Sequence, residues 1–139
     1  RIVITSSLAG FLPLPYLYSY TYTKLSLYHL ANTLRLECLY QGLDVSITTI
    51  LPGAYYTGFN QLMIDNKDKS DFVYEAKALK MTKYQHLLFD LIEKKDLTNF
   101  AKIVSKKITK EKPPFIISIP LEQYLFTKLY LLINWLLFL

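Results

Sequence analysis

The strongest constraint on this chain is a strand–helix–strand pattern in its opening third. Ile2-Val3-Ile4 is a β-branched run ended by Thr5-Ser6-Ser7 and Gly10, and it reads as a buried strand entering a loop. Pro13 and Pro15 hold residues 11–15 extended. From about Tyr18 to Gln41 the periodicity becomes helical. Leu27, Leu30, Ala31, Leu34 and Cys38 share one face, and Gly42 takes the usual left-handed position beyond the helix end. Asp44 to Leu51 is β-rich, and Pro52-Gly53 stops it. A strand, a long crossover helix and a second strand make a right-handed βαβ unit with parallel strands. The class that follows is α/β.

Downstream the pattern is looser. Residues 54–71 read as a short helix or lid followed by a loop, and 72–95 as a helix with Leu87, Leu88, Leu91 and Ile92 as an apolar patch. Asp96 or Thr98 suits the cap of another helix reaching about Lys110, with Phe100, Ile103, Val104 and Ile108 inward. Pro113-Pro114 break it, and Phe115 to Ile119 is a third strand. Residues 121–139 form an apolar helix whose one polar residue after Lys128 is Asn134. The expected division is therefore 1–120 as one domain, with 121–139 as an apolar helix or tail. Leu129 to Leu139 falls well short of the roughly 20 apolar residues a spanning helix needs. A helix packed on protein, an interfacial helix, or the start of a longer segment remain open, the first two preferred.

Composition excludes several classes. An apolar fraction of 52% excludes disorder. A single cysteine, Cys38, excludes a disulfide scaffold and a cysteine-built zinc site. Gly10, Gly42, Gly53 and Gly58 are too far apart for a dinucleotide fingerprint or a Walker loop. The net charge is +5, but fourteen of the sixteen basic residues are lysine, whereas base-reading proteins lean on arginine. No nucleic-acid partner is expected. His29 and His86 read as surface or packing residues, and no metal site is expected. Lys102, Lys106, Lys107, Lys110 and Lys112 read as a solvated helix face, with a membrane-surface role as the minority reading.

One constellation carries chemistry. Tyr20 and Lys24 are four apart on the long helix, so they share a face. A free phenol titrates near pH 10, roughly. An ammonium fixed beside a phenol favours the phenolate, so such a pair suits proton transfer near neutral pH. Ser7 lies at the carboxyl end of the first strand, and Pro52-Gly53 ends the next. Ligands of parallel sheets bind outside those carboxyl ends. Ser7, the start of the long helix and the 52–57 loop are thus expected to line one crevice.

These residues resemble the C-terminal half of the short-chain dehydrogenases/reductases. The matching stretch runs from Ile2 to Phe59: IVITSSLAG, YTYTK, LANTLRLE and ILPGAYYT follow one another at the family's spacing. The resemblance implies the C-terminal part of a doubly wound parallel, Rossmann-type sheet followed by an apolar C-terminal helix. It implies an NAD(P)-dependent oxidoreductase that moves a hydride between nicotinamide, as NAD or NADP, and a carbonyl/alcohol substrate. Ser7 would polarise the substrate oxygen and Tyr20 would be general acid/base. Lys24 would support Tyr20 and hold the nicotinamide ribose. Pro52, Gly53, Tyr55 and Thr57 would line the cofactor, Tyr55 mainly through its backbone. Ser6 competes with Ser7 for its role, and the spacing to Tyr20 favours Ser7.

Tyr22 and Tyr55 are larger than the family usually has at those positions. The glycine-rich fingerprint and catalytic asparagine would lie upstream of Arg1, so the chain reads as a fragment, expected to be inactive by itself. The Tyr- and Phe-rich crevice leans toward a lipid-like substrate. At full length a cytoplasmic homo-oligomer is expected, paired through the helix face bearing Leu25, Tyr28 and Leu36, with membrane association through the tail as a variant. The rival readings are an inactive truncated remnant and a membrane-surface interaction module.

Overall fold

Three runs rich in β-branched residues pair into one parallel sheet: β1 (Ile2–Thr5), β2 (Ile47–Pro52) and β3 (Ile116–Ile119), in the order β1-β2-β3. The computed structural model describes residues 1–65 and 75–137. The helices are α1 (Tyr18–Tyr40), α2 (Phe59–Asp65), α3 (Glu75–Ile92), α4 (Leu97–Ile108) and α5 (Leu121–Leu137), with a 3-10 turn over Leu8–Phe11 after β1. The α/β class and the parallel strand–helix–strand unit are present as expected.

β2 is the central strand, and both its faces are covered, so Ile47, Thr48, Thr49, Ile50 and Leu51 are all buried. A strand enclosed this way reads as an unbroken β-rich run rather than an alternating one. It starts at Ile47, three residues later than Asp44, because its pairing with β1 begins at Ile2 against Ile47. The run that reads as a buried strand is, in this chain by itself, the open apolar sheet edge also expected of it: Ile2 is 39% exposed and Val3 41%. Among the described residues β1 is the sheet edge, with a neighbour on one side only.

α1 ends as its sequence dictates. Gly42 adopts φ +64°, its N–H donates to the Leu39 carbonyl at 3.2 Å, and the Leu43 N–H reaches back to the Cys38 carbonyl at 2.9 Å. This paired closure satisfies carbonyls that the helix end leaves without partners. Only a narrow face of α1 is buried, centred on Ala31; Leu30, expected inward, is half-exposed.

Val104 of α4 packs with Ile50 and Ile117 of the sheet, supported by Phe100, Ile108 and Ile119. The Arg1 guanidinium donates to the carbonyls of Ile108 at 2.6 Å and Lys110 at 2.9 Å, so a cation closes the carboxyl end of α4. α5 packs on β3 and on the 3-10 turn.

The chain forms two compact units. Arg1–Gly53 and Thr98–Leu139 make the first, which holds the sheet, α1 and α5; Ala54–Leu97 make the second. Within the second unit Glu93 accepts from Asn60 Nδ2 at 2.7 Å and from Gln61 Nε2 at 3.2 Å. The Tyr56 N–H donates to the Lys94 carbonyl, and the Lys94 N–H to that of Ala54, each at 3.0 Å. Leu87, Leu88 and Leu91 of the expected apolar patch are exposed. The expected start of this helix at residue 72 lies outside the described residues. Among the described residues no helix is long and apolar enough to cross a membrane.

Two threonines sit side by side in the middle of β2, both fully buried. Thr48 Oγ1 donates to the Pro114 carbonyl at 2.9 Å, whereas Thr49 Oγ1 has no partner among the described residues. A buried hydroxyl without a hydrogen bond costs about 1–3 kcal/mol. Thr49→Val keeps the branched shape and removes that group. It is expected to raise stability by about 1 kcal/mol, read as a higher midpoint in urea.

Candidate active site

The carboxyl end of β1 is fastened onto one turn of α1. Ser6, almost fully buried, donates its hydroxyl to the Lys24 carbonyl at 2.5 Å. Lys24 returns the contact, its Nζ lying 3.4 Å from the Thr5 carbonyl. Gly10 completes the junction. A Cβ there would stand 2.9 Å from the Leu25 backbone nitrogen and 3.2 Å from the Lys24 carbonyl carbon, so only a hydrogen fits. One turn further along, Tyr28 receives Phe11 edge-on at 4.8 Å between ring centroids. Tyr28 was expected on the oligomer-forming face of α1. It contacts Phe11 of the 3-10 turn, and Leu36 on the same face is exposed.

This junction sets the three expected catalytic side chains. Ser7 is the cap of the 3-10 turn; its oxygen accepts the Ala9 N–H at 3.1 Å, and the residue is buried. That bond uses an oxygen lone pair and not the Ser7 O–H. The Ser6 O–H is committed to Lys24. The neighbouring hydroxyls therefore differ in what they can offer a ligand: Ser6 a spent donor, Ser7 one that its capping bond leaves uncommitted. Tyr20 and Lys24, both half-buried, share the face of α1 expected from their spacing, with Lys24 Nζ 5.8 Å from the Tyr20 ring centroid. The turn carrying Lys24 is the one that β1 grips, so Tyr20 stands one turn before the junction. The chain enters α1 through Tyr16 at φ +62°, a conformation that costs a bulky L-residue about 1–2 kcal/mol.

Pro52 closes β2 opposite Ile119, and the Gly53 N–H donates to the Ile119 carbonyl at 2.8 Å. Gly53 is crowded from within the first unit. A Cβ there would run into the Gln123 side-chain amide oxygen and lie 2.8 Å from Pro120 Cδ. Tyr55 and Thr57, the other expected cofactor residues, belong to the second unit. Tyr55 is bridged through its backbone to Lys94, and Thr57 Oγ1 accepts the Phe59 N–H at 3.4 Å just ahead of α2. Among the described residues no group of three or more histidine, cysteine, aspartate or glutamate side chains could hold a metal.

Sequence reasoning missed the structural role of Ser6, the close approach at Gly10 and the seat of Gln123 against Gly53. The signal for Gly10 was available: an isolated glycine in the apolar stretch LAGF after a strand marks a close backbone approach. Gln123 carried no such signal, because its partner lies 70 positions away in the sequence.

Compared with known proteins, residues 1–68 match the family model described as short chain dehydrogenase. This supports a short-chain oxidoreductase in general terms. No curated protein and no solved structure matches the chain.

Gly10→Ala should force the 3-10 turn away from the Lys24 turn. Overpacking of this kind costs about 1–3 kcal/mol. The same change at Gly58, where a Cβ meets nothing within 4 Å, meets only the strain of φ +79°. Urea titrations of the two variants are expected to place Gly10→Ala lower, with crowding rather than backbone strain as the cause.

Proposed function

We propose, from the membership of residues 1–68 in the short-chain dehydrogenase family, that this chain supplies the catalytic half of an NAD(P)-dependent oxidoreductase acting on a carbonyl/alcohol pair. The observation that carries the proposal is the junction of β1 with α1, which sets Ser7 beside the turn of Lys24 and one turn from Tyr20.

The donor set fits one end of a nicotinamide dinucleotide. Lys24 has three N–H donors, and its contact with the Thr5 carbonyl uses one. The remaining two suit ribose hydroxyls, with the Tyr20 phenol beside them. The four glycines are otherwise engaged: Gly10 packs on α1, Gly42 ends it, Gly53 lies under Gln123 and Gly58 precedes α2. None stands in a glycine-rich turn at a helix start, where a pyrophosphate is held. The residues present thus suit the nicotinamide and substrate side, with NAD and NADP equally compatible. By itself the 139-residue chain is not expected to bind either dinucleotide.

When bound, the cofactor supplies or takes the hydride. The chain's own residues handle the oxygen. In the reducing direction the Ser7 O–H donates to the carbonyl oxygen and favours the charge that develops there. Tyr20 Oη delivers the proton to that oxygen, and the Lys24 ammonium offers positive charge to the phenolate left behind. In the oxidising direction Tyr20 takes the proton back. Pro52 and Gly53, fixed by β3 and α5, give that end of the crevice a rigid wall.

In the full-length protein Tyr20→Phe removes the transferable proton and keeps the ring. General acid–base catalysis contributes about 10²–10⁴-fold, so kcat should fall by at least about a hundredfold with KM little changed. Near-normal turnover would remove Tyr20 from the mechanism.

A further inference from the structure

Gly53 is a glycine for want of room and not for its backbone angles. Gly42 and Gly58 stand at positive φ, and Gly53 does not. What forbids a side chain there is a neighbour. The place that a Cβ would take is filled by the Gln123 side chain: the Cβ would strike its amide oxygen and lie 3.0 Å from its Cδ, with Pro120 Cδ at 2.8 Å. Both partners come from the segment that follows β3. Pro120 joins β3 to α5, and Gln123 lies in the first turn of α5, where the Tyr124 N–H donates to the Pro120 carbonyl at 3.3 Å. Gln123 is itself held, its carbonyl accepting the hydroxyl of buried Thr127 at 2.9 Å.

Gly53 is therefore gripped in two ways. Its N–H is bonded to the Ile119 carbonyl at 2.8 Å, and its bare Cα is packed against the Gln123 amide. A glycine has more backbone freedom to lose than any other residue. At the end of a strand, beyond the last ladder bond, that freedom makes it a loose point unless something fills the space beside it. Here Gln123 fills it. All of these contacts lie within the first unit, so the grip is independent of where the second unit sits.

We propose that Gln123 is a positioning residue for the nicotinamide end of the cofactor. It acts through Gly53, ordering the Pro52-Gly53 end of β2 before the cofactor arrives. Preorganisation of this kind favours binding because the ordering cost is met in advance. Gln123 lies outside residues 1–68, the stretch that matches the family, so the family match assigns it no role. The inference rests on the oxidoreductase reading, in which Pro52 and Gly53 line the nicotinamide; the packing of Gln123 on Gly53 does not.

Two measurements on the full-length protein test it. The first is a double-mutant cycle in urea with Gly53→Ala and Gln123→Ala. Gly53→Ala should lower the unfolding midpoint of the parent, and lower it by clearly less once Gln123 is replaced, because the amide that the new Cβ strikes is gone and Pro120 alone remains in its way. The second is titration with NADH and with NADPH, followed by nicotinamide fluorescence. Gln123→Ala should weaken binding of the dinucleotide that the parent takes by about tenfold, the order of cost when one residue's backbone is ordered on binding and not beforehand. Gln123→Met refills the space without an amide and should restore most of that loss. Additive losses in the cycle, a dissociation constant unmoved by Gln123→Ala, or a deficit that Gln123→Met shares would each overturn the proposal. A parent that binds neither dinucleotide would overturn the oxidoreductase reading and this role with it, whatever the cycle shows; a parent that binds while Gln123→Ala binds equally well overturns the role of Gln123 alone.

Discussion

The approach of the β1 end to the backbone of α1 at Lys24 and Leu25 is the contact on which the rest of the site depends. It needs a glycine, because a Cβ at Gly10 would stand 2.9 Å from a backbone nitrogen that cannot step aside. It needs a small hydroxyl at Ser6, which reaches the Lys24 carbonyl from a position closed to water. It also occupies Lys24 at both ends, the carbonyl taken by Ser6 and the ammonium reaching Thr5. Ser7, Tyr20 and Lys24 come from a turn and a helix that would otherwise be free to slide past one another. Under the proposed function, holding them in advance suits proton transfer, since a catalytic group must already lie within hydrogen-bond reach of its target.

The parts of this arrangement that are local were legible in the sequence. α1 was readable from the spacing of Leu27, Ala31, Leu34 and Cys38, and its end from Gly42, because both are set within a few residues. β2 was readable because Pro52-Gly53 stops an unbroken β-rich run. The family resemblance rested on the same stretch, and the family match covers residues 1–68. What was not legible depends on partners distant in the sequence. The start of β2 is set by where β1 offers partners. Tyr28 looked like part of a free surface until Phe11 folded back onto it. Ser6 and Ser7 are the same residue type in adjacent places, and only the position of the Lys24 carbonyl distinguishes them.

α5 shows the same limit from the other side. Its sequence reads as an apolar helix, and hydrophobicity alone sends the leucines inward. The fold turns them out, because β3 and the 3-10 turn meet the face that carries Gln123, Thr127 and Asn134, whose polar groups the helix backbone can satisfy. The crowding of Gly53 by Gln123 and Pro120 then ties the position of this helix to the carboxyl end of β2.

The division of labour between the two adjacent serines tests the account most directly. Steady-state kinetics and urea unfolding of Ser6→Ala and Ser7→Ala, each in the full-length protein, separate the two roles. Ser7→Ala should lose about 10²–10³-fold in kcat, the worth of one donor to a developing oxyanion, and about 1 kcal/mol of stability for the lost cap. Ser6→Ala removes the side-chain donor to the Lys24 carbonyl and should lose about 0.5–1.5 kcal/mol of stability, with a loss of kcat well below that of Ser7→Ala. The reverse pattern, with Ser6→Ala inactive and Ser7→Ala catalytically normal, would contradict the assignment of the junction to Ser6 and of the chemistry to Ser7.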